Sequence, residues 1–545
     1  FAAIATRTIH MRIIGRIQNI VIAAVLAFAG LVVAQGHDGG TGFTDITVSS
    51  GVAALVDKHY QFEPKLWLSG MTLADLDGDG SLDLLIGGHG HIGSFGHNDG
   101  KGWFQFVEPN LAAGKPRYKA AELPYPGGEV RLIYDLDEDG KLDALGAYGD
   151  GLGVTYRNES KPGATPHWSF RAFESGFHPF SRSVSMADLD RDGRVDYILG
   201  PDGRNNTRAT LFLGKGESRW ERGPAIESLK EAAGIPVDVN GDGFLDLLVS
   251  QRGYNPPGRM ILLNDGRMIF TDATRECGLD PAAGSIHGCG DVNQDGALDL
   301  ICVEGRDVVI YFNDGKGHFT KGPPVVGIDK AKGRPQSTNW GGAVVTDFDN
   351  DGIPDILLNG KGALYLLRGT GGGRFEFAND RWGLPSAISP AVDEGACFGD
   401  IDNDGRLDLI TCTRGTGGHE RGVAVFHNDL PERHWLRVRL VGAKGNAAAT
   451  SAKIRVYQAG GLGDPAKLCW HEQVAVWGRQ SFHSYYAASQ TERHFGLGDR
   501  AQADVSVEFY PSGKKVTKSG VKANQVITVN EQSGEVEAAP LGRLR

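Results

Sequence analysis

Short apolar runs separated by polar, glycine-rich breaks make up most of the chain, and the runs come in sets. Pieces such as GMTLA and GGAVVT precede a nine-residue acidic stretch, and LDLLIGG, LDLLVS, LDLICV, PDILLNG or LDLITC follow it. Four sets continue into another apolar piece and a polar turn: MILLNDGRMIF, VVIYFNDGKGHF, ALYLLRGTGGGRF and VAVFHNDL. Runs of this length with period-two alternation predict strands, and Asn-Asp-Gly between two of them predicts a hairpin. One set therefore reads as strand, acidic loop, strand, strand, turn, strand. The acidic stretches start at Asp75, Asp135, Asp188, Asp238, Asp291, Asp347 and Asp400, at intervals of 60, 53, 50, 53, 56 and 53 residues. Four strands per roughly 50 residues, in tandem, predict a β-propeller, and seven sets predict seven blades.

A second repeat places a phenylalanine eight residues before a glycine, at Phe43, Phe270, Phe319 and Phe375. The last three follow a hairpin turn and read as the closing strand of a blade. The seventh set has no such strand, whereas Phe43 precedes the first acidic stretch, so the N-terminal strand is expected to complete the last blade and close the ring. Beyond Asp429 the acidic stretches stop, and HWLRVRLVG, SAKIRVYQ, EQVAVW, DVSVEFYPSGKKV and QVITVNE read as strands of a second domain. The expected fold is all-β, a seven-bladed β-propeller over 35–432 followed by a small β-sandwich-like domain over 433–533 and a flexible tail, 534–545.

The acidic stretch has the form D-x-[DN]-x-D-G-x-x-D. Its first position is Asp75, Asp135, Asp188, Asp238, Asp291, Asp347 or Asp400, and its third is Asp77, Asp137, Asp190, Asn240, Asn293, Asp349 or Asp402. The fifth is Asp79, Asp139, Asp192, Asp242, Asp295, Asp351 or Asp404, and the ninth is Asp83, Asp143, Asp196, Asp246, Asp299, Asp355 or Asp408. Carboxylates at this spacing face inward when a chain wraps a hard cation, the glycine at position six permits the turn, and position seven offers a backbone carbonyl. The residues at seven are Ser81, Lys141, Arg194, Phe244, Ala297, Ile353 and Arg406. Oxygen ligands of this kind suit Ca²⁺ better than Mg²⁺, giving an expectation of about seven structural calcium ions, one per blade. An EF-hand is excluded because position 12 is never Glu and the flanks alternate as strands do.

Composition sharpens this reading. Gly accounts for 79 of 545 residues, about 14 %, roughly twice ordinary usage and a poor composition for helices. A net charge of −11 argues against a nucleic-acid partner. From Met11 the chain reads MRIIGRIQNIVIAAVLAFAGLVVAQG, a basic start, a short apolar core and small residues before Ala34, which predicts a signal peptide cleaved after Ala34. Residues 1–34 are then upstream residues and leader, the mature chain has no membrane span, and the protein is extracellular or periplasmic. Loss of that segment removes Arg7, Arg12 and Arg16 and no acid, leaving a more acidic chain for divalent cations to offset.

Export permits disulfides, and Cys289–Cys302 and Cys397–Cys412 flank acidic stretches at matching offsets, as cross-strand pairs would; small buried thiols are the alternative. Asn158-Glu-Ser and Asn205-Asn-Thr match glycosylation acceptors. His89, His91, His97, His419 and Glu420 lie in glycine-rich loops that read as solvated rim rather than a catalytic cluster. No GxSxG, HExxH or phosphate-binding loop is present, so no catalytic residue is assigned.

The seven acidic stretches resemble FG-GAP/VCBS repeats, as in integrin α propellers, and HWLRVRLVG, SQTERHFGLG and VEFYPSGK resemble elements of the ASPIC/UnbV domain. The combination is similar to bacterial relatives of cartilage acidic protein, although GNAAATSAKIRV departs from the family's pattern and QAGGLGDPAKLCWHEQ is an insertion. The resemblance implies an extracellular calcium-binding protein for adhesion or recognition, with a protein or glycan partner. A polysaccharide lyase or hydrolase on the propeller rim, and a self-associating surface protein, are the alternatives.

Overall fold

The computed structural model describes residues 42–539 apart from 63–67, 89–93, 108–128, 148–152, 162–166, 173–182, 201–208, 217–218, 227–228, 230–233, 252–257, 332–334, 336–341, 361–362, 386–395, 413–422 and 480–491. The expected leader, His89, His91, His419, Glu420 and Asn205 lie outside these residues.

The described strands form nine sheets, and seven of them share one plan. The first runs Leu68–Ala74, Asp83–Gly88, Ser94–Asn98 and Phe104–Val107, each strand antiparallel to the one before. The next five begin at Glu129, Ser183, Ile235, Ser285 and Ala343. The seventh has Ala396–Gly399, Asp408–Cys412 and Val423–Asn428, and its fourth strand is Phe43–Asp45, with Phe43 opposite Asn428. The N-terminal strand therefore completes the last sheet, as the displaced phenylalanine repeat requires. In all seven sheets the acidic loop joins strand one to strand two, and its ninth residue opens strand two. Strands on both sides agree with rejection of the EF-hand.

In four of the seven sheets an asparagine at the end of strand three also clasps the neighbouring sheet. Asn313 Nδ2 donates to Leu298 O of its own sheet (3.1 Å) and to Val239 O of the preceding one (2.8 Å). Asn158 reaches Leu76 O at 2.7 Å and Asn428 reaches Phe348 O at 2.8 Å in the same way. Asn98 of the first sheet donates to Ile401 O of the seventh at 2.8 Å, so the two ends of the array are neighbours. These asparagines belong to the turns read as hairpin signals, but their amides also bridge sheets. The third and sixth sheets carry Gly214 and Gly369 instead, where a β-carbon would crowd the carbonyls of Val195 and Pro354.

The last two sheets make a sandwich. One is ordered Glu492–Gly498, His434–Val441, Gln525–Asn530, Val536–Ala539, and the other Leu468–Gln473, Lys453–Gln458, Gln502–Glu508, Lys515–Lys522. Leu436, Val438, Ile454, Val456, Phe495, Val505 and Ile527 fill the space between them. Period-two alternation along His434–Val441 and Gln502–Glu508 puts one face of each strand into this core.

Several expectations are corrected. The stretch EQVAVW is not one strand: Val476–Arg479 leaves the sandwich and pairs with Ser183–Met186, adding a fifth strand to the third propeller sheet. An open strand edge is a row of unpaired backbone groups, and this segment satisfies it. The segment 534–545 is not wholly a tail, because Val536–Ala539 pairs with Val526–Val529. Val52–Phe62 forms a helix, with Val52, Leu55 and Val56 buried against the first and seventh sheets at i, i+3, i+4 spacing.

Neither proposed disulfide forms. Cys289 stands opposite Leu300 and Cys302 opposite Ile286, while Cys397 stands opposite Ile410 and Cys412 opposite Val423. Both pairs are offset by two residues, and Cys289, Cys302 and Cys397 are free thiols. Asn158 is 3 % exposed with its amide hydrogen-bonded, so it cannot accept a glycan.

Replacing Asn313 by Ala removes two donated bonds and the two that its Oδ1 accepts from Gly315 and Gly317. At about 0.5–1.5 kcal/mol per buried hydrogen bond, Asn313→Ala should destabilise the protein by about 2–6 kcal/mol. Denaturant titration should show the midpoint falling, and an unchanged midpoint would remove the clasp from the account.

Candidate functional site

The seven acidic loops fold alike because their carboxylates organise the backbone. The ninth-position aspartates are at most 1 % exposed. One oxygen of each accepts the backbone N–H of loop position two, and the other accepts that of Asn98, Asn158, Gly214, Asn264, Asn313, Gly369 or Asn428, at or near the end of strand three. In the fifth loop Asp299 takes Val292 N (3.1 Å) and Asn313 N (2.9 Å), and in the third Asp196 takes Leu189 N and Gly214 N (both 2.8 Å). The first-position aspartate accepts the N–H of the glycine at six in every loop, from 2.7 Å at Asp347 to 3.2 Å at Asp238. The fifth-position Oδ1 accepts the N–H of residue seven, at 2.8–2.9 Å throughout.

Position four has positive φ in all seven loops. Gly78 and Gly241 adopt it freely, but Glu138, Arg191, Gln294, Asn350 and Asn403 hold φ between 54° and 65°. Non-glycine residues stay in this region only when their surroundings fix them. Here the side chains are anchored: Glu138 Oε2 accepts Gly445 N at 2.9 Å, Gln294 Nε2 donates to Gly352 O at 2.9 Å, and Asn350 Nδ2 donates to Gly405 O at 2.9 Å. The identity of position four varies from loop to loop while its backbone conformation does not.

Loop carboxylates approach one another closely enough to share a cation. Oxygens of Asp75, Asp77 and Asp83, of Asp135, Asp137 and Asp143, and of Asp188, Asp190 and Asp192 lie within 4.8 Å of one another. Burial, with repulsion from neighbouring carboxylates, pushes Asp75 up to about 8. Burial is also the leading cause that raises Asp196 and Asp299 to about 8 and Asp143, Asp188, Asp246 and Asp291 to about 7. Asp75 Oδ1 and Asp137 Oδ1 are buried without a hydrogen-bond partner. Crowded, buried anionic oxygens of this kind fit a hard divalent cation. The carboxylates at one, three, five and nine would hold it, with the carbonyl at seven as the remaining ligand offered by the motif.

The C-terminal sandwich rests on the loops. Arg437 Nη2 lies 2.6 Å from Asp400 Oδ2, Lys453 Nζ lies 2.7 Å from Asp238 Oδ2, and Gln473 Oε1 accepts Asp238 N at 3.0 Å. His471 Nδ1 meets Gly296 O at 2.7 Å and His494 Nε2 meets Asn350 Oδ1 at 2.7 Å. Burial drives both imidazoles down to about 3, so they are neutral at physiological pH. Gly496 packs so closely on Asp347 that a β-carbon would strike its carboxylate.

Among the candidate rim residues, His97 does not face solvent as a separate cluster. Its Nδ1 lies 3.1 Å from Asp77 Oδ2 and 3.3 Å from Asp83 Oδ1, and the bond to Asp83 raises it to about 9. His427 lies likewise over the seventh loop, 3.0 Å from Asp402 Oδ2, and is raised to about 9 chiefly by that bond. Trp168 and Trp382 are buried, whereas Trp103 is 46 % exposed.

In the absence of metal, the folded state holds protons on carboxylates that the unfolded chain has released, and stability then falls as pH rises. Imidazoles raised to about 9 lose their stabilising charge in the same direction. In chelator, the melting temperature should therefore drop between pH 6 and pH 8, and calcium should flatten that slope. A melting temperature that rises over this interval in chelator would contradict the loop electrostatics.

The FG-GAP-like repeat family matches residues 135–199, 188–249, 291–358 and 347–411, and the ASPIC and UnbV family matches 442–536. Cartilage acidic protein 1 of Mus musculus is 24 % identical over 488 residues, covering 71 % of this chain and 71 % of that protein. The Homo sapiens protein of that name is 24 % identical over 360 residues, covering 56 % of this chain and 52 % of its own. The chain thus spans about half the length of the human relative. Similar solved structures include an Agrocybe aegerita lectin described with recognition of non-reducing terminal N-acetylglucosamine (19 % identity, TM-score 0.39, 59 % of this chain and 84 % of that one). An exotype rhamnogalacturonan lyase is another (14 % identity, TM-score 0.35, 67 % and 72 %). The chain is a protein of FG-GAP-like repeats followed by a C-terminal ASPIC and UnbV domain.

Proposed function

We propose that this protein is a calcium-stabilised extracellular recognition module, which binds a protein or a glycan and performs no catalysis. The observation that carries the calcium assignment is the set of buried, mutually repelling loop carboxylates, including oxygens of Asp75 and Asp137 that no protein group satisfies. A divalent ion in such a loop is a folding ligand, since it binds the native arrangement and not the unfolded chain. Extracellular millimolar calcium would keep the loops loaded.

Recognition is the reading we favour for an array of similar sheets followed by a sandwich. The relatives are named for cartilage, a tissue rich in extracellular matrix, which supports a matrix protein or its glycans as the partner class. Among the described residues no helix is long and apolar enough to cross a membrane.

Two measurements test this. Calcium should raise the melting temperature of the chelated protein by tens of degrees at millimolar concentration, whereas magnesium should do so weakly; equal melting with and without calcium would refute the assignment. A glycan and matrix-protein binding screen in calcium should return saturable binding that chelator abolishes. Turnover of a polysaccharide without any added partner would replace the binding reading with an enzymatic one.

A further inference from the structure

The seven loops differ in what lies above them, and the difference comes from one residue of strand three. The residue just before the one whose N–H the ninth-position aspartate accepts is His97, Arg157, Leu213, Leu263, Phe312, Arg368 or His427, from the first sheet to the seventh. Where it is basic, the third loop position is Asp, and the basic group meets that carboxylate's Oδ2: His97 on Asp77 at 3.1 Å, Arg157 on Asp137 at 2.8 Å, Arg368 on Asp349 at 3.1 Å and His427 on Asp402 at 3.0 Å. Where it is apolar, two of the three loops have Asn there instead, Asn240 and Asn293. A side chain and a loop position forty or fewer residues apart thus change together within one chain.

The sixth loop carries this furthest. Asp349 Oδ1 accepts Asp351 N and Asp351 Oδ1 accepts Ile353 N, which leaves the Oδ2 atoms of both residues to face a cation. One guanidinium takes both: Arg368 Nε lies 3.1 Å from Asp349 Oδ2 and Nη2 lies 2.6 Å from Asp351 Oδ2. Arg433, from the approach to the sandwich, adds a second guanidinium 3.4 Å from Asp349 Oδ2 and 3.8 Å from Asp351 Oδ2. The four loop carboxylates are buried or nearly so, and Gly496 seals Asp347. In the fifth loop, by contrast, no Lys, Arg or His among the described residues reaches Asp291, Asp295 or Asp299.

We infer that Arg368 is the resident cation of the sixth loop, and that this loop binds no calcium while the fifth loop does. A calcium ion bound by the third- and fifth-position carboxylates would sit about 2.3–2.6 Å from their facing oxygens, the place the guanidinium fills, and would meet its charge there. A bidentate Arg–carboxylate pair is geometrically specific and permanently charged, so it supplies a fixed counter-charge that does not depend on the medium. The sixth loop then holds its shape, and its contact with the sandwich through Arg433, at any calcium concentration. This inference rests on the calcium reading of the other loops.

The test is the number of calcium ions retained per full-length chain, measured by elemental mass spectrometry after equilibration in defined calcium. Asp295→Asn should lower the count by one and Asp351→Asn should leave it unchanged. The double variant Arg368→Leu, Arg433→Gln should gain one ion and melt at a temperature that depends more steeply on calcium. Loss of one ion in a folded Asp351→Asn protein, or no gain in a folded double variant, overturns the inference. If the double variant does not fold, the two aspartate variants decide it alone. A wild-type chain that retains no calcium at all defeats the calcium reading itself, an outcome distinct from loss of an ion in Asp351→Asn.

Discussion

Seven buried aspartates hold the propeller together. Each sits at the start of strand two and spends both oxygens on backbone N–H groups, one from its own loop and one from the end of strand three. Burying a carboxylate is costly unless it is hydrogen-bonded, and two N–H donors meet part of that cost. The same bonds fix where the acidic loop leaves the sheet, so strand pairing and loop shape are set by one side chain. In four of the sheets the adjacent asparagine bonds both its own sheet and the neighbouring one, and so carries the geometry between them.

Once the backbone is held this way, the remaining carboxylates converge, and their charge has to be met. The chain meets it by more than one means. A metal ion suits the loops that keep carboxylate oxygens free of any protein partner, such as Asp75 Oδ1 and Asp137 Oδ1. Arginine or histidine from strand three lies over others, and Arg437 and Lys453 of the C-terminal sandwich reach Asp400 and Asp238 from outside. The sandwich is thus held partly by the charge of the loops it covers, and its neutral buried His471 and His494 read backbone and amide groups beside those charges. Strand Val476–Arg479 adds a mechanical tie, because pulling the sandwich away would also strip a strand from the third sheet.

Much of this was legible without coordinates. The recurrence of D-x-[DN]-x-D-G-x-x-D located all seven sheets, and the misplaced Phe43 repeat foretold the N-terminal strand beside Val423–Asn428. Other features were not legible for definite reasons. The cysteine pairs kept a constant offset but were shifted two residues from true register, and only the pairing of Cys289 with Leu300 reveals that. The asparagine of the hairpin turn announced a turn, but its reach into the next sheet depends on how sheets pack. Helix Val52–Phe62 followed a strand-like repeat and was hidden by it, although its apolar spacing was available to be read.

By itself the sequence determined most of what depends on local periodicity: the recurring strands of the seven sheets, their order, the loop positions able to bear oxygen ligands and the start of a second β domain after Asp429. These follow from side-chain alternation and turn chemistry within some fifty residues, which a linear chain displays directly. Only the tertiary structure decided how each loop's charge is neutralised, that Val476–Arg479 crosses to the third sheet, and that the cysteines flanking the acidic loops face Leu, Ile and Val rather than each other. Those outcomes turn on groups distant in the chain, such as Arg437 beside Asp400 or Lys453 beside Asp238, whose approach is a product of packing rather than of any pattern in the residues themselves.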